Sequence, residues 1–283
     1  MKSLKSLILR YPAAASVALF GLFFVLSEIE LDKWLMNWMG YQKASYLSGT
    51  LVQGCVSGVI VLVIAWLGMT REAGFTPISR WKSVWLIWPV VVFSVLNGID
   101  VIDGTLQINW ADGWLIVLLV LLYISVGLIE EILFRGLILP LMLRQWGSTR
   151  GGVYKAVLIS SAIFGLAHLA NLLLGRREAL STGAQITYGI FFGVFFAACF
   201  LRNRSIWPVI FAHFLFDLAG NLHEITVGHV YSRAASSQSL DDVLVTVAIL
   251  LPLLLIGLFY LRKVEPSGKD DKTALPDGLP EAV

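Results

Sequence analysis

A helix needs about 20 mostly apolar residues to cross a bilayer, and eight stretches of this chain qualify. They lie at roughly 11–27, 47–69, 83–99, 113–143, 153–174, 183–201, 206–222 and 243–261. A water-facing surface cannot absorb that many. Of the 283 residues, 57% are hydrophobic and 14% charged, against about 25% charged in soluble domains. Ten-residue stretches of strand-type alternation are absent, which argues against a β-barrel. The expected fold class is all-α, a polytopic membrane protein of about eight transmembrane helices in a single domain over residues 1–263. The polar stretch 264–283 reads as a disordered tail. Nucleic-acid binding and a secreted disulfide scaffold are excluded, and Cys55 and Cys199 read as buried structural thiols.

Orientation follows from the basic residues. With the N-terminus in the cytoplasm, the inner flanks hold Lys2, Lys5, Arg10, Arg71, Arg80, Lys82, Arg144, Arg150, Lys155, Arg202, Arg204, Arg262 and Lys263. The outer flanks hold Lys33, Lys43, Arg176, Arg177 and Arg233. Thirteen against five fits an even number of spans with both termini cytoplasmic. The run 11–27 lacks a small-x-small cleavage pattern and reads as an uncleaved span. A bacterial inner membrane is the expected location.

Three spans carry ionisable residues: Glu130, Glu131 and Arg135 in the fourth, His168 in the fifth, His213 and Asp217 in the seventh. Each charge facing lipid at a helix centre costs about 2.5–3.5 kcal/mol, so the set must face inward. At 1.5 Å per residue, Glu130, His168 and Asp217 each stand roughly 20 Å above the inner flank of their helix, and His213 roughly 13 Å. Three helices thus bring their polar groups to similar heights. Glu131 with Arg135, and His213 with Asp217, are four apart and share a helix face. Glu130 points about 100° away from Glu131, so Glu131 is expected to pair with Arg135 while Glu130 faces a cavity. A carboxylate beside an imidazole can hold and deprotonate water, and a second imidazole can hydrogen-bond an oxyanion. Together they suit amide hydrolysis. Ser160 and Ser161 read as packing residues.

At these positions the sequence resembles the CPBP family of intramembrane proteases, which takes in the type II CAAX prenyl endopeptidases and Abi-related proteins. The motif EExxxR matches Glu130-Glu131-Ile-Leu-Phe-Arg135, FxxxH matches Phe164 to His168, and HxxxN/D matches His213 to Asp217. The resemblance covers residues 112–222. It implies an intramembrane endopeptidase acting on a membrane-anchored protein or peptide substrate in contact with lipid, from a catalytic cavity open toward the cytoplasm. By position, Glu130 is implied as the water-activating base with His168 as its partner, His213 and Asp217 as the oxyanion pair, and Glu131 with Arg135 as structural support. Aspartate stands at 217 where some members have asparagine. It would have to be protonated to donate to an oxyanion, or else it orients His213. No cofactor is expected. Zinc is the alternative, on Glu130, His168 and His213, although HExxH is absent.

The same buried cluster could serve a proton- or ion-coupled transporter, or survive in a non-catalytic immunity or sorting protein. Against transport, no repeat symmetry or paired broken helices are visible. His223, Glu224 and His229 read as solvated loop residues. The phenylalanines at 191, 192, 195, 196 and 200 read as lipid-facing or packing, and Gly189 with Gly193 as a close helix contact. Pro140 should kink or end its helix, while Pro208 suits a first turn.

Overall fold

Helix signals in the sequence set the elements of the computed structural model, which describes residues 2–77, 83–231 and 238–266. The helices are α1 Lys2–Arg10, α2 Pro12–Ser27, α3 Asp32–Leu35, α4 Tyr41–Leu67, α5 Trp88–Asn97, α6 Ile99–Ile102, α7 Gly113–Glu131, α8 Leu139–Trp146, α9 Arg150–Ala167, α10 Leu169–Leu173, α11 Ala179–Asn203, α12 Trp207–Gly220 and α13 Leu240–Leu261. Asp112 and Thr149 cap α7 and α9 with side-chain oxygens that accept from Leu115 and Gly152, and Ser239 with Asp242 forms a capping box on α13. Gly68, at φ +76°, ends α4 in the left-handed region. No strand occurs among the described residues, only one isolated bridge between Ile108 and Thr226.

The span count differs from the expected eight. Among the described residues six helical segments are long and apolar enough to cross a membrane, and two of the expected spans are shorter helices, Val84–Asn97 and Trp207–Gly220. Pro140 does break its helix, in a specific way. The α-helical pattern stops at Glu131, seven residues from Ile132 to Ile138 run as π-helix, and α8 restarts with Pro140 in its first turn. Proline has no N–H to donate and its ring crowds the carbonyl four residues back, so the wider turn comes just before it. Pro208 sits in the first turn of α12.

The centre of the bundle is α11, held between α9 and α13. Phe191, Phe192, Phe195, Phe196 and Phe200 are all buried, so they pack and do not face lipid. Glycines allow the approach. A Cβ on Gly193 would lie 2.7 Å from that of Ser161, one on Gly165 2.6 Å from the Ile186 carbonyl, and one on Gly257 2.8 Å from Phe195 Cα. Gly193→Val should therefore force α9 and α11 apart and cost about 1–3 kcal/mol. Thermal unfolding in detergent measures it, and an unchanged midpoint would refute the close contact. Ser160 and Ser161 are buried in this seam. Cys199 is buried, but Cys55 is exposed on α4, contrary to expectation; its place in an apolar run reflects a lipid-facing surface and not the core.

The two ends of the bundle differ sharply in charge. One end gathers Lys2, Lys5, Arg10, Arg71, Arg144, Arg150, Lys155, Arg202, Arg204, Arg262 and Lys263, with only Glu72 and Glu265 opposing them among the described residues. Its parts are tied together: Lys5 donates to the Trp66 carbonyl at 2.9 Å, Arg150 to that of Arg262 at 2.6 Å, and Arg144 pairs with Glu72. The other end holds Lys33, Lys43, Arg176 and Arg177 among ten carboxylates: Glu28, Glu30, Asp32, Asp100, Asp103, Asp112, Glu178, Glu224, Asp241 and Asp242. Here Lys43 pairs with Asp112 at 2.8 Å, and Arg176 with Glu28 at 2.8 Å and Glu30 at 3.3 Å. These are the basic and acidic faces below. Arg80, Lys82, Arg233 and the tail from residue 267 lie outside the described residues.

Candidate active site

Glu130 and Glu131 end α7, and the helix turns them to different surroundings. Glu131 is fully buried and its Oε1 accepts from Arg135 Nη1 at 2.9 Å. The same oxygen lies 2.7 Å from His213 Nδ1, so α7 and α12 are joined through one carboxylate atom. Arg135, midway along the π-helical stretch, also donates to the Gly193 carbonyl at 3.2 Å. Its guanidinium lies over the rings of Phe164 and Phe196, 4.7 and 5.6 Å from their centres. The buried charge is thus paired, hydrogen-bonded and walled by aromatic faces, as a charge deep in a membrane protein has to be.

Glu130 points the other way, into a cavity of about 990 Å³. Its side chain keeps 28% of its exposure, against none for Glu131, and that difference assigns the first to the cavity and the second to the framework. His213 is the hinge between them. One edge of its ring bonds Glu131, and its Nε2 faces the cavity 3.5 Å from Glu130 Oε2 and 3.3 Å from Asp217 Oδ2. Phe196 stacks on the ring at 5.5 Å, and Phe164 meets it edge-on at 6.1 Å. With Nδ1–H donated to a carboxylate that Arg135 holds, the cavity-facing nitrogen is the one left to exchange protons.

His168 lines the same cavity. It falls at the junction of α9 and α10, where the helix breaks, its N–H turning back to the Gly165 carbonyl. Its ring meets Phe164 edge-on at 5.7 Å, and Gly189 leaves room for it, since a Cβ there would stand 3.2 Å from His168 Cδ2. The imidazole in direct range of Glu130 is that of His213, at 3.5 Å. The four-residue pair His213 and Asp217 lies on one face as spacing predicts, and Asn221 extends it by donating to the Asp217 carbonyl at 2.7 Å.

Several lining residues escaped the sequence reading. Glu224, read there as a solvated loop residue, accepts from the Tyr46 hydroxyl and lines the cavity. Gln42 donates to its backbone carbonyl at 2.8 Å, which pulls the turn after α12 over α4. Gln53 accepts from Ser125 at 3.1 Å, and Asn171 donates to Gln185 at 2.8 Å. Their signal was present: Gln53 and Gln185 are amides inside apolar spans. His223 and His229 are exposed, with ring centres 5.8 Å apart.

The cavity opens at the acidic face, bordered there by Glu28, Glu30, Arg176, Arg177, Asn221 and Glu224. No residue of the basic face lines it. The resemblance implies a cavity open toward the cytoplasm; the opening here lies at the end away from the lysine- and arginine-rich flanks. The physical reason is helix length. Both α12 and the Val84–Asn97 segment start at the basic face, where Ser83 N–H donates to Asn203 and Ile206 N–H to the Gly74 carbonyl. Both then stop early, and Asn97, Gly220 and Asn221 at their far ends line the cavity. Fourteen residues reach about 21 Å, short of the roughly 30 Å hydrocarbon core.

A catalytic zinc would need three protein ligands at about 2.0–2.2 Å with a fourth position open. Glu130, His168 and His213 form no such ligand set: His213 is engaged by carboxylates at both nitrogens. Among the described residues no three His, Cys, Asp or Glu side chains form a group that could hold a metal ion.

No curated protein and no solved structure matches the chain. A family comparison does match, on the segment that contains every residue of the cluster and both glycines facing His168 and Ser161. Over residues 112–219 the sequence matches the model of the Rce1-like family, described as type II CAAX prenyl endopeptidase Rce1-like, the family of CAAX proteases that its three motifs resemble.

Proposed function

We propose that the protein is an intramembrane endopeptidase that hydrolyses a peptide bond of a membrane-associated substrate with water activated by Glu130. The observation that carries this is the convergence of Glu130, His168, His213 and Asp217, from three separate helices, on one cavity. Its 990 Å³ lies at the upper end of small-ligand pockets, about 300–1,000 Å³, and suits several residues of an extended peptide.

In this reading a water molecule beside Glu130 gives its proton to the carboxylate and adds to the scissile carbonyl carbon. The oxyanion that forms takes a hydrogen bond from the ring N–H of His168 across the cavity. Collapse breaks the C–N bond, and the departing amine takes the proton held by Glu130. His213, fixed by Glu131 through Nδ1, presents Nε2 between Glu130 and Asp217 and holds both carboxylates in place. The roles of the two imidazoles are thereby exchanged relative to those the family resemblance implies by position. Asp217 orients His213 and makes no contact with the oxyanion, which removes the need for it to be protonated. No step requires a metal.

The test is purified protein in proteoliposomes with membrane-anchored peptides, the products identified by mass spectrometry. His168→Ala should lower the rate about 10²–10³-fold, the usual effect of losing an oxyanion donor. Chelation should leave the rate unchanged. An activity lost on chelation and restored by zinc alone would overturn the metal-free route, and full activity in His168→Ala would overturn its role.

A further inference from the structure

We infer that the cavity mouth faces away from the cytoplasm, so that the site takes peptide segments exposed on the opposite side of the membrane. This rests on the endopeptidase reading for what is cleaved, but not for the sidedness itself.

Three observations meet here. First, lysine and arginine concentrate on the cytoplasmic flanks of membrane helices, and acidic residues contribute little to that bias. The described basic face holds eleven such residues and the acidic face four, with every connecting segment short enough for the rule to apply. Second, the cavity reaches only the acidic face, where Glu28, Glu30 and Arg176 at its border keep roughly a third of their side-chain exposure. Third, the route from the basic face is closed. Below the Glu131–Arg135 pair, Leu137, Ile138, Leu139 and Ile206 have no exposed surface, and a Cβ added at Gly136 would stand 3.3 Å from Ile206 Cδ1 and 3.4 Å from Ile64 Cδ1. A chain approaching from that side would have to open a dry, close-packed layer.

The direction restricts the substrate. A C-terminal tail displayed on the cytoplasmic side, however anchored, meets the closed end. The segments that can enter belong to proteins or peptides already carried across the membrane, or to the outward-facing ends of membrane anchors. A family match that names a prenyl endopeptidase thus describes the catalytic core, while this chain's charge distribution turns its mouth toward a different pool of chains.

The test has two arms, each read separately. In a background of Cys55→Ser and Cys199→Ser, single cysteines are placed by Gln107→Cys on the acidic face and Lys263→Cys on the basic face, both exposed positions. A membrane-impermeant maleimide applied to intact cells should label Gln107→Cys at once and Lys263→Cys only after permeabilisation. The reverse order, or labelling of Lys263→Cys in intact cells, overturns the inference. In the second arm, a membrane-anchored peptide is added to the outside of sealed right-side-out vesicles of the full-length protein. Cleavage without detergent, absent in Glu130→Gln, supports an outward mouth, and cleavage that appears only after detergent overturns it. If the labelling order is as expected but no peptide is cut in either condition, the endopeptidase reading fails and the sidedness stands.

Discussion

Glu130→Gln is expected to lower kcat/KM for peptide cleavage by about 10³-fold or more while the protein remains folded. The amide is isosteric with the carboxylate but cannot accept the proton of the attacking water. Three orders of magnitude correspond to about 4 kcal/mol of transition-state stabilisation, within the range of general acid–base catalysis. Folding should survive because Glu130 faces the cavity and makes no contact with Arg135 like that of Glu131, so its replacement leaves the Arg135–Glu131–His213 chain intact. The measurement is cleavage in proteoliposomes alongside thermal unfolding. Retention of more than about a tenth of the activity in well-folded Glu130→Gln protein would remove Glu130 from the role of base.

The second large effect is on stability. Arg135→Ala strands Glu131, a carboxylate with no exposed surface, and withdraws the donor from the Gly193 carbonyl. Breaking a buried pair from one side costs about 3–5 kcal/mol, whereas replacing both partners by apolar residues is often neutral. The double replacement Glu131→Leu with Arg135→Met should therefore recover most of the unfolding midpoint lost in Arg135→Ala. It should not recover cleavage, because His213 Nδ1 then has no acceptor and the ring is free to turn Nε2 away from Glu130. Recovery of both stability and activity would show that the pair does nothing for the site. Failure to recover stability would show that the chain of contacts, and not the stranded charge, sets the cost.

The ionisable residues of the site were legible in the sequence because charge in an apolar helix is costly wherever it stands. The cost forces Glu130, Glu131, Arg135, His168, His213 and Asp217 inward, and spacing then sorts them by face. Glu131 with Arg135, and His213 with Asp217, lie as a 3.6-residue period requires. The period fails where the backbone leaves the α-helix. His168 sits at the break between α9 and α10, so counting along one continuous helix could not say which carboxylate it meets. Nor could counting show that Glu131 binds His213, since that contact depends on how α7 and α12 are rotated against each other. Glu224 was hidden for a related reason: it lies in a short turn after α12, and only the fold brings it to Tyr46. The side on which the cavity opens was also beyond reach, because it depends on where α12 and its partner stop relative to the rest of the bundle. The sequence supplied the 83–99 and 206–222 runs as ordinary spans, with nothing to mark them as short.

Those two short helices have a consequence for the lipid. Trp85, Trp88, Val92, Val95 and Leu96 on one, and Trp207 and Phe211 on the other, are exposed and present an apolar wall about 21 Å tall to acyl chains. Elsewhere the protein presents helices of 22 to 34 residues. A bilayer cannot match both heights at once, and mismatch is relieved by local thinning. Thinning of the annulus beside α5 and α12 from the acidic side would carry headgroups and their water toward the level of the cavity. Under the proposed endopeptidase function, the protein would thereby deform its own solvent at the point where hydrolysis needs water in an otherwise dry medium.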